Sequence, residues 1–214
     1  MLLMACGLGA QEPTTTWPYL YGDFTAGVLR QVGGAETQSV YNIHLLHGAL
    51  HFVDGGLVRE LRSSDIFSVK IGQDIFVNVN GRMMQVVAKN DNGFVALDNE
   101  IDMVKLNSTG GAYGSSSSSV STQALSSLEG IGASNSSSNI NHMELRSNRD
   151  NGQVLPLLKK MYMVVDGRVI YATRKDFSEC VGSDNAKAFL KANKISWKDP
   201  ASILEAIDFI AENK

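Results

Sequence analysis

Cysteine is nearly missing from this chain, and that removes a whole class of architecture. Only Cys6 and Cys180 occur in 214 residues. Two thiols cannot build a disulfide framework or a cysteine-based zinc site. An excess of positive charge is missing too. Nineteen Lys and Arg face 22 Asp and Glu, for a net charge of −3. The basic residues are scattered, with one mild concentration at 187–198, and nucleic acid is excluded as a partner because phosphate binding needs clustered cations. No stretch carries the roughly 18 consecutive apolar residues of a membrane helix, so the mature chain is expected to have no transmembrane helix.

What is present is enough for a large core. Hydrophobic residues make up 43% and charged residues 19% of the chain. A chain of this length buries roughly 70% of the surface that its unfolded form exposes.

The first ten residues read MLLMACGLGA, apolar and uncharged and ending in small side chains. Gln11, Glu12 and Pro13 then break the run. This is the pattern of a signal-peptide core and cleavage region lacking its basic front, so a start codon upstream is expected. Two processing routes fit. Cleavage after Ala10 would release a soluble protein, whereas Leu3-Met4-Ala5-Cys6 resembles a lipobox that would make Cys6 a lipidated N-terminus and lipid anchor. Either route is extracytoplasmic: periplasm, outer membrane surface or secreted.

Four segments follow from composition. Residues 1–16 are leader and lead-in. Residues 17–106 are a β-rich domain, with short alternating runs broken by Gly, Asn and Asp. Residues 107–141 hold 13 Ser and 5 Gly with a single charge, Glu129, and are expected to be a flexible linker or loop. Residues 142–214 are a hairpin followed by a helical module. The expected fold class is α+β, mainly β: an antiparallel meander in a sheet, sandwich or small barrel, followed by a C-terminal β-hairpin and two helices.

Turn dipeptides place the hairpins. Asn80-Gly81 between 75–79 and 82–87, and Asp166-Gly167 between 161–165 and 168–172, suit type I′ turns, in which both central residues need positive φ. Asn92-Gly93 precedes a strand at 94–97, while 27–32, 57–61 and 66–71 are weaker strands. His47-Gly48 is read as a two-residue turn that pairs His44 with His51, leaving Tyr41, Ile43, Leu45, Leu50 and Phe52 on the core face. Two helices are expected, one over 184–193 and one capped by Asp199 with Pro200 at its first position. Tyr162, Val164, Val169 and Tyr171 should share one face, and Trp197 should anchor the core.

The histidines are the one arrangement that invites chemistry. With Cβ atoms within about 5.5 Å across the hairpin, His44 and His51 could grip a divalent metal, the third ligand coming from His47, His142 or a carboxylate. An opposed polar pair on a half-exposed strand is the plainer reading. Asn90-Asp91-Asn92-Gly93 fails as a calcium loop, because Ala88 and Asn99 stand where carboxylates are required. Asp98, Glu100 and Asp102 read as a solvated acidic edge. No Ser lies in a G-x-S-x-G elbow, Gly110-Gly111-Ala112-Tyr113-Gly114 lacks a strand–helix context, and His142-Met143-Glu144 lacks the P-C-x-x-C partner of zinc deaminases. Cys180 beside Val181 reads as packed filler in a turn.

Several motifs together resemble uncharacterised exported envelope or surface proteins of Bacteroidales-type bacteria. They are Tyr19-Leu20-Tyr21 with Asp23-Phe24, the run from Tyr41 to Phe52, Gly110-Gly111-Ala112-Tyr113-Gly114, and the closing module with Lys160, Tyr162, Phe189-Leu190-Lys191 and Lys194-Ile195-Ser196-Trp197-Lys198. The resemblance covers most of the mature chain. It implies an envelope or surface location and carries over no catalytic residue, cofactor or substrate. The expectation is a non-catalytic envelope or secreted protein, structural or ligand-binding and with no cofactor. The alternative is a metal-dependent hydrolase using His44 and His51.

Overall fold

The structure, a computed structural model, describes residues 18–105, 150 and 155–213. The leader, Cys6, the Ser-rich segment 107–141 and His142 lie outside the described residues.

Ten strands form one antiparallel sheet. They are β1 (Thr25–Gln31), β2 (Glu36–His44), β3 (Ala49–Asp54), β4 (Leu57–Glu60), β5 (Ile66–Ile71), β6 (Asp74–Val79), β7 (Arg82–Lys89), β8 (Gly93–Ile101), β9 (Leu157–Val165) and β10 (Arg168–Tyr171). Their order is β10-β9-β8-β7-β6-β5-β1-β2-β3-β4. Two meanders therefore meet at β1, whose neighbours are β2 and β5. The sheet stays open, with β4 and β10 as its edges. This is the expected mainly-β α+β class.

Turn chemistry sets the hairpins. Asn80 and Gly81 have φ of 52° and 85°, and Asp166 and Gly167 have 49° and 74°. These are the left-handed pairs that a two-residue turn needs to match strand twist. The hairpin β9–β10 continues the sheet of the first segment, because β9 pairs with β8 from Gly93↔Val165 to Ile101↔Leu157. That ladder starts at a close approach. A Cβ on Gly93 would lie 2.2 Å from the Val164 carbonyl oxygen, so only glycine fits there.

Three helices close the chain, one more than expected: α1 (Arg174–Val181), α2 (Ser183–Ala192) and α3 (Pro200–Glu212). In α3 the Asp199 side chain accepts from Ala201 N–H, and Pro200 occupies a position whose missing N–H is not needed. Cys180 lies on α1 rather than in a turn. The Thr173 side chain caps α1 by accepting from Asp176 N–H.

The two main cores sit on one side of the sheet. Around β1–β7, Leu29, Tyr41, Ile43, Leu50, Ile66, Val69, Ile71, Phe76 and Met83 are buried together. The sheet curls about this core until the β2–β3 turn touches β7, where Met83 N–H donates to the Gly48 carbonyl at 2.8 Å. Farther along, Ile203, Ile207 and Ile210 of α3 pack on Val95, Met163 and Val165, with Phe177 of α1 beside them. Each such side chain contributes about 1.5–3 kcal/mol by leaving water. Trp197 joins this group, its ring 5.7 Å from that of Phe177. A bulge at β7 between Val86 and Ala88 turns Ala88 to the helix-covered side, opposite Val95. Among the described residues, no helix is long and apolar enough to cross a membrane.

Candidate functional site

The expected two-residue turn at His47-Gly48 is corrected by the structure. His44 pairs with Ala49 and Asn42 with His51, so the turn spans residues 45–48. The cause lies upstream. A strap at residues 18–24 lies along β2: Leu20 N–H donates to the Ile43 carbonyl, and Leu45 N–H donates to the Pro18 carbonyl. Asn42, fully buried, clamps the strap with its side chain, accepting from Tyr21 N–H and donating to the carbonyls of Tyr21 and Asp23. Leu45 is thus drawn out of the hairpin into a separate cluster with Ile101 and Leu155. The register moves by two residues, and since side chains alternate with period two, every residue that stays in the ladder keeps its expected face.

The same shift still brings the histidines together. His44 and His51 stack with ring centroids 5.0 Å apart, and His44 and His47 with centroids 5.9 Å apart. Tyr19 of the strap meets His44 and His51 edge-on. Both nitrogens of His51 are engaged. Nε2 lies 3.2 Å from Glu60, a carboxylate that can only accept, so Nε2 carries the proton and donates. Nδ1 then accepts from the Tyr19 hydroxyl at 2.7 Å. Burial holds the His51 pKa below the usual imidazole value; Glu60 pulls against that shift, and the charge of His47 adds to it. Burial, reinforced by Glu60, pushes the Tyr19 phenol up to about 12.

The His44 and His51 rings are nearly parallel, 16° apart, and both nitrogens of His51 are engaged. Among the described residues no three His, Cys, Asp or Glu side chains converge so as to hold a metal ion. A cavity of about 120 Å³ lies alongside, lined by His47, Glu60, Ser63 and Met83 among others. That is below the ~300–1,000 Å³ usual for small-molecule sites.

A second cluster escaped sequence reasoning. Asp98 is not part of a solvated acidic edge; it is 1% exposed. Arg82 binds it through two nitrogens, Nε at 2.9 Å and Nη2 at 3.1 Å. Glu100, two residues along the same face, bonds to Lys160 of β9. Arg82 Nη2 approaches Glu100 at 3.9 Å, closing a row that crosses β7, β8 and β9. Beside it, the Tyr162 and Tyr171 rings lie 4.4 Å apart, tilted by 32°. Burial raises the Asp98 pKa against the opposing pull of Arg82. Burial also pushes Glu100 up, but Lys160 outweighs it and holds the carboxyl below its usual range. The available signal was the period-two spacing of Asp98 with Glu100 and of Lys160 with Tyr162, which places each pair on one strand face.

Comparison of the chain with protein-family models, with curated proteins and with solved structures finds no match in any of the three.

Proposed function

We propose that the chain is an exported bacterial envelope or secreted protein that works by binding or as a structural element rather than by catalysis. The apolar MLLMACGLGA run supports export. One observation carries the non-catalytic half: among the described residues, Arg82, Lys160 and His51 at the centres of the two clusters are each held by neighbouring side chains. Arg82 is taken up by Asp98, Lys160 by Glu100, and His51 by Tyr19 and Glu60. A general base or nucleophile has to face the atom it attacks. The test is expression in a bacterium of the chain with a short basic segment placed ahead of Met1, followed by the mass of the mature N-terminus with and without globomycin. A chain beginning at Gln11 supports secretion, and a globomycin-sensitive acylated Cys6 supports anchoring. An intact leader in the cytosolic fraction would sink the export reading.

A second reading, a metal-dependent hydrolase, draws on the 5.0 Å approach of His44 and His51. It requires His51 to exchange Tyr19 or Glu60 for an ion. Stoichiometric zinc in the purified protein, lost in the double variant His44→Ala, His51→Ala, would favour it.

A further inference from the structure

The sheet face opposite the helices has chemistry of its own. Its cluster comprises Val79, Met84, Ala96 and Val164, with Val77, Phe94, Tyr162 and Val169 around them, and no helix residue joins it among the described residues. The helix α3 covers the other side of β7, β8 and β9, through Val95, Met163 and Val165. Tyr171 and Leu158 stand out on the side opposite α3, 44% and 43% exposed. Register puts them there: Tyr171 pairs with Tyr162, and Leu158 pairs with Glu100.

Two properties of this face select a ligand. First, its ionic row is balanced, with Arg82 and Lys160 against Asp98 and Glu100, so its field draws neither an anion nor a cation. Second, it offers donors and acceptors side by side, already fixed by their mutual pairing, next to an exposed aromatic ring. Glu100 keeps 28% and Lys160 37% of its side-chain surface open. A hydroxyl group both donates and accepts, so it can bond to an exposed carboxylate edge and an ammonium edge without breaking their pair. The apolar C–H face of a sugar ring suits a tyrosine ring propped by a second one, and pre-ordered partners lose little side-chain entropy on binding.

Resting on the binding reading above, we propose that this face binds a neutral polysaccharide chain, with sugar rings on Tyr171 and Leu158 and their hydroxyls on Glu100 and Lys160. An anionic polymer would have to prise Lys160 from Glu100. The apolar part of the face is interrupted by the ionic row, which a protein partner would have to desolvate.

Affinity electrophoresis of the full chain tests this, in native gels cast with a soluble β-glucan, a galactomannan or a polyuronate. A neutral polymer should retard the protein, and added salt should leave the retardation in place. Tyr171→Ala and Leu158→Ser should each abolish most of it while thermal melts stay cooperative, and Tyr171→Phe should retain it. Lys160→Met should weaken it about tenfold, the equivalent of one charge-assisted hydrogen bond. Retardation by neither neutral polymer, retardation by the polyuronate alone, or retardation indifferent to both Tyr171→Ala and Leu158→Ser would overturn the proposal. None of these results bears on N-terminal processing, so the export reading stands or falls separately.

Discussion

Arg82→Met isolates the energetics of the ionic row. Methionine keeps much of the apolar stem that packs beside Gly48, where Arg82 Cβ and Cγ crowd the turn. It removes the guanidinium and leaves Asp98 buried without its cation and facing Glu100. Breaking a buried pair by deleting one partner costs about 3–5 kcal/mol. Arg82 is itself 24% exposed, so part of its charge is already screened by water, and we expect about 2–3 kcal/mol at pH 7. With the guanidinium gone, the folded pKa of Asp98 rises further above its unfolded value of about 3.9. A carboxyl with a raised folded pKa contributes its stability in the protonated form, present below the unfolded pKa and lost as pH rises through the folded one. The deficit should therefore be small near pH 4 and grow toward neutrality. Urea melts of the wild type, Arg82→Met, Asp98→Leu and the double variant, run at both pH values, check this. The double variant should recover to within about 1 kcal/mol of wild type, because an apolar pair replaces an ionic one with little net loss. Equal losses at the two pH values, or a double variant no better than Arg82→Met alone, would refute the reasoning.

The remaining predictions concern the strap and the β8–β9 seam. His51 has a folded pKa below its unfolded value, so the unfolded chain takes the proton first and stability falls as pH drops below about 6.5. His51→Gln should flatten that part of the curve of Tm against pH, and an unchanged slope would count against the Tyr19–His51–Glu60 chain. Gly93→Ala should destabilise by about 2–3 kcal/mol in urea melts, since its Cβ would overlap the Val164 carbonyl and press on Ile207.

Local chemistry was legible in the sequence wherever it sufficed to fix a shape. Asn80-Gly81 and Asp166-Gly167 form the expected left-handed turns, and Asp199-Pro200 opens a helix whose apolar stripe repeats three times on the core. The helix α1 was missed because it buries only Phe177, and one anchor makes no stripe. The β2–β3 turn was misplaced because its register answers to the strap, and residues 18–24 carry no periodicity of their own. Nothing in residues 41–53 could show that Leu45 would give its N–H to Pro18.

Alternation within a strand names the residues that share a face, while the choice of partner belongs to the sheet order. Asp98 and Glu100 looked like surface acids because their neighbours in sequence are polar. What pairs with Asp98 is Arg82, sixteen residues away, and what holds Glu100 is Lys160, sixty residues away. A low-charge chain that forms both pairs on one face makes its ionic groups part of a surface with a fixed arrangement of donors and acceptors. That is why the face can be specific for a ligand without carrying net charge, and why the seam that aligns β9 with β8, closed at one end by Gly93, matters as much to the proposed binding as the side chains that would touch the sugar.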